Sequence, residues 1–142
     1  PQHSIKAHIE IAENRTITFP LIKLRRREWE FYKFGGVIDL EELLMDKRVR
    51  GVDKRLVLIE PNPKGHYESS IVGKERTVAR LLGVSLDLVE ERVRVLRRRD
   101  SIGRTGVYLR RELAPDESFE EVLKGIGERD PIIRRRSLQS EQ

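Results

Sequence analysis

The amino-acid sequence predicts an α+β fold, and three stretches carry that prediction. From Ser4 to Ile11, apolar and polar side chains alternate, which is the pattern of a half-buried strand. Leu56 to Ile59 is a short β-rich run, and the turn residues Pro61 to Gly65 end it abruptly. Thr77 to Ile102 has helical periodicity on both sides of a Gly-Val-Ser turn. Strands and helices are therefore both expected, without the regular alternation of a parallel sheet.

The composition limits the classes of protein to be considered. The chain has 142 residues and no apolar run long enough to cross a membrane, so no membrane partner is expected. It lacks cysteine and a secretory pattern, which favours a cytoplasmic location in the host cell. Its 29 Lys and Arg exceed its 24 Asp and Glu, and the surplus in short runs would suit an anionic partner. Dense Arg and Glu with few Asn and Gln is also typical of thermophile proteins.

The N-terminal segment, residues 1–36, is predicted to be a β-hairpin followed by an aromatic and basic stretch that packs on the core. Thr16 to Leu24 forms the returning strand, with Pro20 placing it at an edge. Arg25 to Phe34 then crowds four aromatic residues beside a basic run. We expect these aromatic side chains in the core, because the chain has few others. The alternative is that they stack on nucleic-acid bases.

The stretch from Thr77 to Ile102 reads as two helices joined by a tight turn. Ser85 stands where it can cap the second helix by accepting a backbone N–H. The residues predicted to face the core share helical spacing. They are Val78, Ala79, Leu82, Leu88, Val89, Val93 and Leu96. This arrangement is how a helix-turn-helix appears in sequence.

Capping signals predict two further helices. Asp39 with Glu42 begins the first, and Leu40, Leu43 and Leu44 form its apolar stripe. Residues 114–127 are predicted to contain a short C-terminal helix. A second capping box, Ser118 with Glu121, begins this helix, which should end at Gly125 or Gly127. Residues 128–142 are expected to be a disordered basic tail, because only three of them, Ile132, Ile133 and Leu138, are large and apolar.

The order of elements over residues 37–113 resembles the winged helix-turn-helix superfamily. The residues that carry the resemblance are Ala79, Leu82, Gly83, Val84, Ser85, Val89, Val93, Leu96 and Ile102. The resemblance implies a two-stranded wing from Ile102 to Leu113, turning at Thr105 and Gly106. Arg92 departs from the pattern, since that position is usually apolar. In layout the chain is similar to small replication initiators and transcription regulators of phages and other mobile elements.

The resemblance also implies that the start of the second helix would face the major groove of DNA. The residues there are Leu86, Asp87, Glu90 and Glu91. Three carboxylates are repelled by the phosphate charge, so this face suits a groove poorly. We therefore favour a protein-docking face and a non-enzymatic regulator that binds host RNA polymerase, a sigma factor or another protein of the nucleic-acid machinery.

The alternative is a sequence-specific DNA-binding repressor or replication initiator. Its DNA contacts would come from basic residues outside the helix start. They are Arg94, Arg97, Arg98, Arg104, Arg110, Arg111, Arg25 and Arg26.

Little in the sequence suggests an enzyme. His3, His8 and His66 are scattered, without a carboxylate at metal-ligand spacing, and no glycine-rich phosphate loop is present. We expect no catalytic residues, no metal, no cofactor and no small-molecule substrate.

Overall fold

The protein has an α+β fold, and its computed structural model describes residues 4–103 and 108–138. The described residues form two compact units. The first contains those up to Arg25 and those from Tyr108 onward, and the second contains Arg26 to Gly103. The elements in chain order are β1 (Lys6–Ala12), β2 (Arg15–Pro20), α1 (Arg26–Gly35), α2 (Leu40–Leu44), β3 (Gly51–Val52), β4 (Val57–Asn62), β5 (Gly65–Ser70), α3 (Glu75–Leu82), α4 (Leu86–Ile102), α5 (Phe119–Arg129) and α6 (Pro131–Leu138).

The first unit combines the predicted β-hairpin with two C-terminal helices. Strands β1 and β2 pair antiparallel, with Ile9 opposite Ile17. Of the predicted apolar strand face only Ala7 is fully buried, whereas Ile9 is 43% exposed. The ring of Phe19 packs edge-on against that of Phe119, with centroids 5.7 Å apart, so the hairpin contacts the start of α5. The predicted capping box of Ser118 and Glu121 is present at this start.

The second unit holds a three-stranded antiparallel sheet and helices α1 to α4. Strand β4 lies between β3 and β5, so the chain pairs back on itself across the turn after Pro61. The hydrophobic core joins this sheet to α3 and α4. Its buried residues are Phe34, Val52, Leu56, Leu58, Ile71, Val78, Ala79, Leu88, Val89, Val93 and Leu96. Six of the seven helix residues predicted for the core are therefore buried, and the seventh, Leu82, is partly buried against it.

The two predicted helices and the tight turn between them are present in the second unit. Helix α3 ends at Gly83, whose φ of 63° is left-handed, a conformation that glycine adopts without steric cost. The amide of Val84 then donates to the Ala79 carbonyl oxygen at 3.0 Å. Ser85 precedes α4 with extended backbone, but its side chain makes no capping hydrogen bond. The predicted cap position is thus correct and its predicted partner is wrong.

The predicted wing is not formed as expected. Ile102 was expected to open a strand, but it lies in the last turn of α4, which continues to that residue. Tyr108 to Leu113 contains no strand. The predicted turn at Thr105 and Gly106 lies outside the described residues.

The C-terminal prediction is also wrong for most of its length. Helix α5 continues through both glycines to Arg129, and α6 follows from Pro131 to Leu138 instead of a disordered tail. Ile133 and Arg136 are buried, and the Arg136 guanidinium donates to the Lys23 carbonyl oxygen at 3.3 Å. An arginine predicted to be solvated therefore ties α6 to the chain after the hairpin.

The aromatic segment forms α1 from Arg26 onward, and this helix belongs to the second unit rather than to the hairpin. Phe34 is buried as predicted, with 4% exposure. Trp29 and Phe31 remain 49% and 39% exposed, so the expectation of core packing is wrong for them. The core is filled by aliphatic residues of the sheet, α3 and α4, which leaves little space for the aromatic rings.

Candidate interaction surface

The exposed face of α4 is acidic at its start and basic at its end. Asp87 and Glu90 are exposed in the first turns, and Arg94, Arg97 and Arg98 are exposed further along. Spacings of three and four residues place these side chains along one stripe of the helix. The arrangement matches the helix dipole, which favours carboxylates at the N-terminus and cations at the C-terminus. The stripe therefore offers two regions of opposite charge within one helix.

Two of the four predicted docking residues have structural roles. Leu86 is partly buried and packs against the hydrophobic core. Glu91 is half-buried and forms an ion pair with Arg27 of α1. The carboxylates of Asp87 and Glu90 form neither an ion pair nor a hydrogen bond with a described residue. The accessible part of the predicted docking face therefore reduces to Asp87 and Glu90.

Helix α1 is fixed to the turn between α3 and α4 by Glu30. The Ser85 hydroxyl donates to Glu30 Oε2 at 2.6 Å, and the Ser85 amide donates to the same oxygen at 3.4 Å. The hydrogen bond from the Ser85 hydroxyl is the main cause that lowers the pKa of Glu30, and Arg26 adds to it from 3.4 Å. This contact, which sequence analysis missed, joins residues 55 positions apart. It fixes the orientation of the turn that precedes α4.

We expect Ser85→Ala and Glu30→Gln each to lower the free energy of unfolding by about 1–2 kcal/mol, because the first removes a charge-assisted hydrogen bond and the second removes the charge that strengthens it. The double variant should cost less than the sum of the two, by about 1 kcal/mol, when measured by chemical denaturation. Additive losses would contradict a direct contact between the two side chains.

The same contact predicts a pH dependence. Because the folded chain lowers the pKa of Glu30, its contribution to stability is complete above the ordinary carboxyl pKa. It is lost as the pH falls through the lowered folded pKa. The free energy of unfolding, measured by chemical denaturation across that pH window, should therefore change less with pH for Glu30→Gln than for the natural chain.

Arg92, the residue that departs from the helix-turn-helix pattern, lies over the aromatic segment. Its guanidinium carbon is 4.8 Å from the centre of the Phe31 ring. Burial lowers the pKa of Arg92, and the nearby Arg99 adds to the effect. Its Nε is buried without a hydrogen-bond partner among the described residues. The side chain thus packs on an aromatic ring.

A surface depression of about 260 Å³ lies where α3 and α4 begin. Lys74 and Arg76 line it on the α3 side, and Leu86 and Glu90 line it on the α4 side. Backbone N–H groups at Glu75 itself and at Gly73 lower the pKa of Glu75 at its edge. The depression therefore presents both signs of charge next to the exposed Glu90.

The remaining basic residues proposed for nucleic-acid contact are distributed between the units. Arg25, Arg110 and Arg111 belong to the first unit, and the latter two face Glu112 and Glu117 respectively. Arg26 lies in the second unit beside Glu30. Arg104 lies outside the described residues. Within this set, Arg94, Arg97 and Arg98 share one exposed stripe of α4.

Sequence analysis also missed an exposed apolar surface on α2. Leu40, Leu43, Leu44 and Met45 are 69%, 57%, 76% and 70% exposed. The leucine spacing predicted an apolar stripe without indicating what it faces, and none of these residues belongs to the hydrophobic core. The sequence shows only a short run of leucines between carboxylates. This pattern is the same for a helix that exposes its leucines and for one that buries them.

A comparison of the chain with protein-family models, curated proteins and solved structures gave no match. Within residues 4–103 and 108–138, no cluster of three or more His, Asp or Glu side chains is suited to hold a metal ion. No helix in the same ranges is long and apolar enough to cross a membrane.

Proposed function

We propose that the protein is a non-enzymatic transcription regulator of phage or mobile-element type. Its second unit docks on host RNA polymerase or a sigma factor and alters promoter use. One observation carries the proposal: the accessible start of α4 is acidic, with Asp87 and Glu90 both exposed. This is the end of the helix that a DNA-reading helix-turn-helix protein inserts into the major groove.

Electrostatics favours a protein over DNA at this position. Duplex DNA carries one phosphate charge for about every 1.7 Å of its axis, which repels a carboxylate that enters the groove. Asp87 gains only about 0.3–1 kcal/mol from the dipole of its own helix, and Glu90 lies beyond the first turn, where this effect is weaker. A partner with Lys or Arg side chains would instead be attracted to both carboxylates.

The second candidate is the sequence-specific DNA-binding repressor or replication initiator, and one observation favours it. Arg94, Arg97 and Arg98 share the exposed stripe of α4. Glu91 is meanwhile paired with Arg27, which reduces the negative charge at the helix start. In this alternative the C-terminal half of α4 contacts phosphates, and the bases are read elsewhere.

Capture from host extract and a DNA shift assay, run in parallel, separate the two candidates. Immobilised full chain should retain RNA polymerase subunits, while its binding to DNA fragments should be weak and independent of sequence. The shift assay should cover about 50–200 mM salt, where counterion release changes DNA affinity most visibly. A shift specific to one operator, with a steep salt dependence and no retained polymerase subunit, would overturn the docking proposal.

A further inference from the structure

Helix α2 presents an apolar surface that the rest of the second unit does not use. We name it the leucine ridge, defined by Leu40, Leu43 and Leu44, with Met45 at its end. All four side chains are more than half exposed, and the most exposed is Leu44 at 76%. The hydrophobic core of the same unit contains none of them. Exposed large apolar side chains that cluster in this way mark interaction sites more often than scattered ones do.

The ridge is held in shape although the core does not support it. The Asp39 carboxylate accepts a hydrogen bond from the Glu42 amide at 2.8 Å, and the Glu42 carboxylate accepts from the Asp39 amide at 3.4 Å. Glu42 also forms an ion pair with Lys47. This reciprocal cap fixes the first turn of the helix. The three leucines are thereby presented on an ordered helix, which reduces the entropy lost on binding.

The spacing of the leucines fits a helix that lies in a groove. Positions i, i+3 and i+4 fall on one face of a helix and act as the anchors of such ligands. Carboxylates flank this face, since Asp39, Glu41 and Asp46 are exposed beside it, and Lys47, the first cation after them, is paired with Glu42. A complementary partner surface would therefore have an apolar floor for the leucines and basic residues at its rim.

A second copy of the chain fits this surface less well. Two ridges placed together would bring their carboxylates into contact, and like charges across an interface oppose association. A stable interface buries about 800 Å² on each partner, which a five-residue helix cannot supply from one convex face. A groove on a partner protein would instead surround the ridge and contact its flanks as well as the leucines.

We propose that the leucine ridge inserts into an apolar groove with a Lys- or Arg-rich rim on a partner protein. This inference rests on the proposed function in taking that partner to be RNA polymerase holoenzyme, and it assigns the contact to α2. It therefore places the main apolar contact on α2, while Asp87 and Glu90 of α4 supply charge.

Binding of purified host RNA polymerase holoenzyme to the full chain tests the proposal. Leu40→Ala/Leu44→Ala should weaken binding at least tenfold, whereas thermal unfolding should change little because both leucines are exposed. Ile9→Ala/Ile17→Ala removes two exposed apolar side chains from the hairpin and serves as the matched control. Glu41→Lys/Asp46→Lys should also weaken binding at least tenfold, through the basic rim.

A photo-crosslinking residue at position 44 identifies the surface that the ridge contacts. We expect crosslinks in host extract to an apolar segment flanked by Lys or Arg. If holoenzyme binds the natural chain and Leu40→Ala/Leu44→Ala equally, the ridge proposal fails and the proposed function stands. If no polymerase binds but position 44 crosslinks to such a groove on another protein, the proposed function fails and the ridge stands. Crosslinks only to a second copy, or none, overturn the ridge.

Discussion

Gly51→Ala should lower the free energy of unfolding of the second unit by about 3 kcal/mol, the upper part of the usual range for overpacking. Gly51 is buried in β3, and a Cβ added there would lie 2.6 Å from the Gly35 carbonyl carbon and 2.8 Å from the Gly36 nitrogen. The Gly35 carbonyl oxygen would be closer still. These are backbone atoms, so no side-chain rotation can relieve the clash. The end of α1 or strand β3 must move instead.

Chemical denaturation of Gly51→Ala beside Gly35→Ala tests this packing. A Cβ at Gly35 would meet no atom within 4 Å, so the control should change stability by no more than about 0.5 kcal/mol. Gly51→Ala should also reduce the near-ultraviolet circular dichroism of Trp29, which lies on α1. Equal stability of the two variants would show that β3 and α1 do not approach as closely as described.

Local patterns in the sequence predicted the elements whose signals lie within a few residues. The capping boxes at Asp39 and Ser118 are formed, and the turn at Gly83 joins the two predicted helices. The core stripe of α4 is buried as expected. Each of these depends on side-chain spacing within one or two turns, which periodicity reports directly.

Features that depend on distant residues were not predictable. The contact of Gly51 with Gly35 and the bond from Ser85 to Glu30 each require the folded arrangement. The apolar spacing of α2 does not reveal whether its leucines face the core or water, because both cases share one pattern. Helix α6 was missed because buried Arg136 resembles a solvated residue in sequence, whereas its guanidinium hydrogen-bonds the Lys23 carbonyl.

The sequence predicted where the candidate site lies, and the structure changed which residues belong to it. All four residues of the predicted face lie in the first turns of α4. Only burial and pairing distinguish Asp87 and Glu90, which are accessible, from Leu86 and Glu91, which support the fold. A test by charge reversal should therefore leave Glu91 unchanged, since its loss would also release Arg27 of α1.

Asp87→Lys/Glu90→Lys is expected to convert the start of α4 from a protein-docking face to a DNA-binding one. The exchange makes the local charge more positive by four units beside Arg94, Arg97 and Arg98. Nonspecific affinity for duplex DNA should rise about tenfold or more at low salt. The slope of the logarithm of the binding constant against the logarithm of salt concentration should become steeper by about one to two units, because phosphate contacts are added. Capture of polymerase should fall at least tenfold, because the partner's basic residues would now be repelled.

Position, rather than net charge, should decide this result. Glu10→Lys/Glu13→Lys makes the same change in charge on the exposed hairpin, and serves as the control. If both pairs raise DNA affinity equally, the effect is general electrostatics and α4 has no special part in it. If Asp87→Lys/Glu90→Lys binds DNA more tightly yet captures polymerase as before, the acidic start of α4 is not a docking face. Loss of capture in this variant alone, with unchanged thermal unfolding, requires that Asp87 and Glu90 face the partner.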